Sequence, residues 1–193
     1  MRPDTAMNPS LPVASERPIL LTVGHSNRSL SDVIALLQAH GVTQLVDVRT
    51  VPRSRHHPQF NQDTLPAALQ AVGIGYRHQP GWGGLRHPRP DSLNTGWRNT
   101  RFRGFADYMQ TPAFAAALDT LLQQAESQRV AVMCAEAVPW RCHRSLIADA
   151  LSVRGIPVEH LLSVTQRHAH RLTPWAQVDG LRLSYPSPAD PTG

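Results

Sequence analysis

Five short apolar runs separated by segments of helical period set the strongest limit on how this chain can fold. The runs are Ile19–Val23, Gln44–Val48, Gly75–His78, Val130–Met133 and Pro157–Leu162. Each has strand length, and the most apolar of them lack the in–out alternation of a half-exposed sheet, so they suit strands covered on both faces. Ser29 or Ser31 caps a first helix whose apolar face is Leu30, Val33, Ile34 and Leu37 and which closes at Gly41. A second helix is expected from Gln62 or Asp63 to Ala71, with Pro66 tolerated in its first turn. Phe105–Met109 predicts a helical turn, and Thr111-Pro112 opens a longer helix carrying Phe114, Ala117, Leu118, Leu121, Leu122 and Ala125. The last helix carries Leu146, Ile147, Ala150 and Leu151 and closes at Gly155.

This alternation predicts a single three-layer α/β domain over 18–185, with a mainly parallel five-stranded sheet. Strands one and four should be neighbours, in an order such as 3-2-1-4-5. Residues 1–17 read as a proline-rich disordered lead-in with no signal-peptide core, and 186–193 as a frayed tail. After Leu162 no clear period is left, which predicts a coil across the site. No run approaches the roughly 18 apolar residues of a membrane helix. Two cysteines do not make a disulfide framework, so a reducing cytoplasm is the expected setting.

Right-handed crossovers place all strand ends on one rim, where open α/β sheets bind ligands. That rim collects His25, Ser26, Asp47, Arg49, His78, Cys134, Glu136, Cys142, His143, Arg144 and His160. The richest segment is Arg129–Leu151, in which a strand runs into Cys134 and Glu136, turns at Pro139, and restarts as a helix opened by Cys142-His143-Arg144. A helix N-terminus attracts anions and lowers the pKa of a thiol placed there. Cys142 is therefore either a nucleophile or a half-buried structural thiol. Glu136, His25 and His143 are candidates for proton transfer. Cys134 and Cys142 with His143 or His160 can also be read as metal ligands, but a seven-residue gap is wider than a zinc knuckle, so no metal is assigned and the cofactor stays open.

All 19 basic residues are arginine, and the net charge is +5. GC-rich coding bias is the simpler account of the missing lysine, but guanidinium forks still suit phosphate or carboxylate ligands. Arg53-Ser54-Arg55, with Phe60 nearby, reads as a solvated loop or as a phosphate clamp beside a base-stacking ring. The long stretch Gln79–Gly104 holds Trp82, Leu85, Trp97 and Phe102, which argue against plain disorder. Its segment Gly81–Arg86 is expected to fold over the pocket, adding Gly84 and Arg86 to the site, with Trp97 or Phe102 as anchor.

Five blocks carry a resemblance. TVGHSNRSL, LVDVRTVPRSRHHPQF, GIGYRHQPGWGGLR, FADYMQTPAF and AVMCAEAVPWRCHRSLIADAL resemble, in order, the signature blocks of family 488 of the domains of unknown function, a family of bacterial α/β proteins. The likeness runs from about Val23 to Leu162 and implies a fold and a site but no reaction. Trp82 departs from the leucine expected in that block. LVDVRTVP and VAVMCAE are also similar, more weakly, to rhodanese-like sulfurtransferases. That likeness stops after Cys134, where Glu136, Pro139 and Trp140 replace a tight loop of small residues.

The sequence thus predicts an enzyme-like pocket for an anionic small molecule, a nucleotide or a nucleic-acid segment. A thiol-dependent sulfurtransferase or redox protein, and a non-catalytic nucleic-acid-binding module, are the alternatives.

Overall fold

The structure, a computed structural model, describes residues 18–187; the expected lead-in at 1–17 and most of the expected tail, 188–193, lie outside them. The sheet is built from β1 (Leu20–Gly24), β2 (Gln44–Asp47), β3 (Gly75–His78), β4 (Val130–Cys134), β5 (Val158–Leu161) and β6 (Arg167–Ala169). Their order is β3-β2-β4-β1-β5-β6, parallel except where β6 runs antiparallel to β5. The expected neighbours β1 and β4 do pair, with Gly24 opposite Cys134. Two details differ from the sequence expectation: the sheet has a sixth strand, and β4 lies between β2 and β1. A central apolar strand carries no local mark of which neighbours it will take, so pattern alone could not order these strands.

The helices are α1 (Leu30–Ala39), α2 (Leu65–Gln70), α3 (Thr100–Met109), α4 (Pro112–Ala125) and α5 (Arg144–Val153). Ser29 and Asp32 form a reciprocal capping box on α1, and Thr111 caps α4 just ahead of Pro112. The Asn99 side chain caps α3 by accepting from Arg101 N–H at 2.9 Å, so the expected irregular stretch ends before Thr100. Gly41 ends α1 at φ +67, a region that disfavours any Cβ.

Alternation along the strands sorts two cores. Leu21 and Val23, Leu45, and Ala131 and Met133 pack with α1, α2 and Phe60. Leu20, Val46, Val130, Val132 and Cys134 pack with α3, α4 and α5. In the same alternation Thr22 and Gly24 face α5, and Asp47 faces α2. The helices following β1 and β4 therefore leave on opposite faces, which opens a crevice between the two strand ends.

The C-terminal segment is not the expected coil. Besides β6 it forms a hairpin of β7 (Gln177–Asp179) and β8 (Arg182–Ser184) around Gly180, and buries Leu183 and Tyr185 in the α3–α5 core. Of the expected tail, Ser187 N–H donates to Thr95 Oγ1 at 3.1 Å. Among the described residues no helix is long and apolar enough to cross a membrane.

Candidate functional site

Backbone pairing between β1 and β4 continues beyond the strand ends. His25 N–H donates to Cys134 O at 3.1 Å and Ser26 N–H to Ala135 O at 3.0 Å. Gly24 must be glycine, since a Cβ there would lie 1.8 Å from Glu136 O. Chain tightness at this point forces Glu136 O onto the Arg144 Nη2–H, at 2.8 Å. Arg144 is buried and also donates to Thr22 Oγ1 at 3.2 Å, so it is a structural cation beneath the site.

Past that point lies a cavity of about 410 Å³, lined among others by Arg49, Gly84, Arg101, Cys134, Glu136, Arg141, Cys142 and His143. The rim residues His25, Ser26, Asp47, His78 and Arg144 do not line it. Cys134 and Cys142 form its floor, with their sulfurs 2.8 Å apart. Glu136 N–H lies 3.2 Å from the Cys134 sulfur, His143 Nδ1 3.5 Å from the Cys142 sulfur, and Arg144 N–H 3.5 Å from the latter. Burial first, then its contact with Cys142, pushes the Cys134 thiol well up. Burial alone would also raise Cys142; hydrogen bonds from Cys134 and His143 and the charges of His143 and Arg144 outweigh it and hold Cys142 well below the usual thiol range. Cys142 is thus the more acidic thiol of the pair and Cys134 the less acidic. Both Cys142 and His143 precede α5 rather than open it, His143 standing at the cap position without a side-chain capping bond. The His143 ring packs 5.0 Å from Phe105, and its Nε2 is buried without a partner among the described residues.

Arg49 forms the opposite wall. Its Nε donates to Asp47 Oδ1 at 2.9 Å, and its Nη2 to Asp47 Oδ2 and Phe60 O, both at 2.6 Å. Tyr76 OH adds a fourth bond, to Asp47 Oδ2 at 2.9 Å. Both members of this ion pair are buried, so the guanidinium is fixed in place. His25 stacks on Phe60 at 4.3 Å and donates from Nδ1 to the Ser26 carbonyl at 2.9 Å. Burial, with Arg49 adding to it, lowers its pKa to about 4 against the pull of the Ser26 bond. Its Nε2 therefore stays an acceptor facing Arg49 Nη1, 3.4 Å away. His25 and Asp47 hold Arg49 from behind rather than lining the cavity.

The glycine pair in Gly81–Arg86 has a local cause. A Cβ on Gly83 would meet Thr50 Oγ1 at 2.2 Å, and one on Gly84 would meet His143 Nδ1 at 2.5 Å. The segment does fold against the pocket. Trp82, fully buried and 6.0 Å from Phe114, anchors it; of the two rings expected to do so, Phe102 is buried and Trp97 only half-buried.

Other expected site residues fall elsewhere. Ser26 adopts φ 49 in the turn after β1, and His78 Nε2–H donates to Arg49 O at 2.9 Å. Ser54 Oγ accepts from His56 and His57 N–H at 3.2 and 3.1 Å, closing a turn between the exposed Arg53 and Arg55. Arg86 turns away, its guanidinium 3.4 Å from the Tyr108 ring centre and bonded to Gly81 O. Glu136 is exposed and makes no ion pair among the described residues; in water a lone carboxylate incurs no desolvation cost. Conversely Arg141 and Arg101, both exposed, line the cavity without an ion pair among the described residues. Arg101 stands close to Arg98 and Arg103, and Arg141 one residue before Cys142, so both could have been read from the sequence. Among the described residues no group of three His, Cys, Asp or Glu side chains converges on a metal-sized site.

A family model described as Domain of unknown function DUF488 matches residues 29–151, over half of the 193. No curated protein and no solved structure matches the chain.

Proposed function

The chain belongs to the DUF488 family, a domain of unknown function, and from that premise we propose that the cavity beyond the C-terminal end of β4 binds a phosphate-bearing ligand, a nucleotide or a nucleic-acid segment, above a reactive Cys142 thiolate. One observation carries this reading: three guanidinium groups, of Arg49, Arg101 and Arg141, line one cavity against the single carboxylate of Glu136. Arg49 is pre-positioned by Asp47 and Phe60, so little order is lost when it meets an anion. Arg101 and Arg141 supply the forks that close on phosphate oxygens. The His143 ring, which also lines the cavity, supports the reading as a further polar group beside the ligand. Titration with inorganic tripolyphosphate tests it. Each of Arg101→Ala and Arg141→Ala should weaken binding about tenfold, the loss of one charge-assisted bond. Unchanged affinity in both would remove the reading.

The sulfur pair favours a second reading, thiol–disulfide chemistry. The Cys142 thiolate attacks a substrate disulfide and releases one substrate thiolate. Cys134 then gives up its proton and attacks the Cys142 sulfur of the mixed disulfide. The second substrate thiol leaves, the substrate is reduced, and a Cys134–Cys142 disulfide is formed. Oxidised glutathione should convert the protein to a form lighter by two hydrogens that Cys134→Ser cannot reach. A stable glutathione adduct on the unaltered chain would speak against it.

A further inference from the structure

A second cavity, of about 770 Å³, lies across the Pro139–Arg141 turn from the first. Pro139 and Trp140 line it, whereas Arg141 lines the first. Trp97 and Phe102 complete the partition: their rings are 4.9 Å apart, with Trp97 lining the second cavity and Phe102 the first.

Its walls are aromatic. Trp97, Trp140 and Trp175 line it with the imidazoles of His160 and His170. Trp140 is 68% exposed and Trp175 38%, although large aromatic rings gain most from burial. The two imidazoles offer ring faces and no spare hydrogen-bonding nitrogen, because a directional chain occupies all four. Arg144 can only donate, so Thr22 Oγ1 accepts from it at 3.2 Å and passes its own proton to His160 Nδ1 at 2.7 Å. His160 Nε2–H then donates to His170 Nδ1 at 3.0 Å, and His170 Nε2–H to Asp149 Oδ1 at 2.8 Å. Tyr185 OH and Thr173 N–H saturate Asp149, at 2.9 and 3.0 Å. The polar groups of the lining include Trp97 Nε1, buried and without a partner among the described residues, and His168 and Arg171, which make no ion pair among them.

We propose that this cavity seats the base of a nucleotide unit whose phosphate lies in the first cavity, with the Pro139–Arg141 turn beneath the link between them. The inference rests on the phosphate reading of the first cavity and gives that ligand a chemical class. A planar π-system matches stacked tryptophan and imidazole faces, the Trp97 N–H supplies an in-plane donor, and the cationic lining favours a polyanion over a neutral aromatic. An inorganic or carboxylate anion would leave the aromatic walls in water.

The test uses the whole protein and four probes: adenosine monophosphate, a single-stranded oligonucleotide, the same length of abasic strand, and inorganic tripolyphosphate. Base-bearing probes should quench tryptophan fluorescence. The oligonucleotide should bind about tenfold or more tightly than the abasic strand, the scale of one stacked base. Trp140→Ala and Trp175→Ala should erase that preference and leave tripolyphosphate binding intact. Equal affinity for oligonucleotide and monophosphate marks a free nucleotide as the ligand, and a tighter oligonucleotide marks a strand; both support the base seat. Equal binding of normal and abasic strands overturns it while tripolyphosphate binding keeps the first-cavity reading. Base-dependent binding that ignores Arg141→Ala overturns the bridge, and binding that ignores Arg101→Ala as well overturns the phosphate reading with it.

Discussion

Cys142 and Cys134 show how far neighbours decide what a side chain does. Both are buried, yet one is driven towards thiolate and the other away from it, because one proton serves two sulfurs 2.8 Å apart. Replacing the donor should undo this: Cys134→Ala should raise the pH midpoint of Cys142 alkylation, and an unmoved midpoint would mean His143 and Arg144 suffice. His25 gives a pH signature of its own. Its folded pKa, lowered to about 4 by burial, lies below the ordinary histidine value of 6.5. The neutral form is therefore favoured by folding, with the stabilisation complete above pH 6.5 and lost as pH falls towards 4. Urea unfolding over that window should take up about one proton more in the native chain than in His25→Gln, the buried His160 contributing equally to both; equal slopes in the two proteins would contradict it. The strand-end residues were legible from the sequence, since a polar residue ending an apolar run is a local signal. Their division of labour was not: His25 and Asp47 support Arg49, and Glu136 stays in water, for reasons of burial that no spacing records.

At the scale of elements, glycines mark where one segment must pass close to another. Gly24→Ala would drive a Cβ into Glu136 O, a backbone atom that cannot step aside, and should destabilise the fold by about 3 kcal/mol or more. Gly84→Ala meets only the His143 ring, which can turn. It should cost about 1 kcal/mol in stability but weaken tripolyphosphate binding by displacing His143; chemical denaturation beside titration separates the two. Helix α5 is tied to the C-terminal segment through Asp149, which is fully buried and accepts from His170, Thr173 and Tyr185. Asp149→Asn removes the charge and gives the His170 contact a competing donor, so denaturation should show a loss of about 3 kcal/mol; a loss below 1 kcal/mol would mean the chain is not cooperative. The capped helices α1 and α4 were readable because Ser29, Thr111 and Pro112 act locally. The three-residue strands β6, β7 and β8 were not, because their mostly exposed residues carry no period and they form only by pairing with what is already folded.

The whole molecule turns on the insertion of β4 between β2 and β1. That order places the Cys134 end of β4 beside Gly24 on one side and the Asp47–Arg49 segment on the other, so one cavity receives both the thiols and the fixed guanidinium. The sequence pointed to the shared rim through alternating elements and right-handed crossovers, and any parallel order would have supported it. Which arginines reach the cavity depended on the actual order and on the loops, so Arg53, Arg55 and Arg86 fell outside and Arg101 and Arg141 inside. The account as a whole claims that a phosphate-bearing ligand sits over a Cys142 thiolate. Alkylation of the native protein by iodoacetamide across pH 5.5 to 9.5, with and without tripolyphosphate and read by peptide mass mapping, tests that most directly. The account predicts labelling of Cys142 alone, with a midpoint below the ordinary thiol value near 8.5, slowed by tripolyphosphate in the native chain and not in Arg141→Ala. Labelling that begins only at alkaline pH, or that tripolyphosphate leaves unchanged, would contradict it.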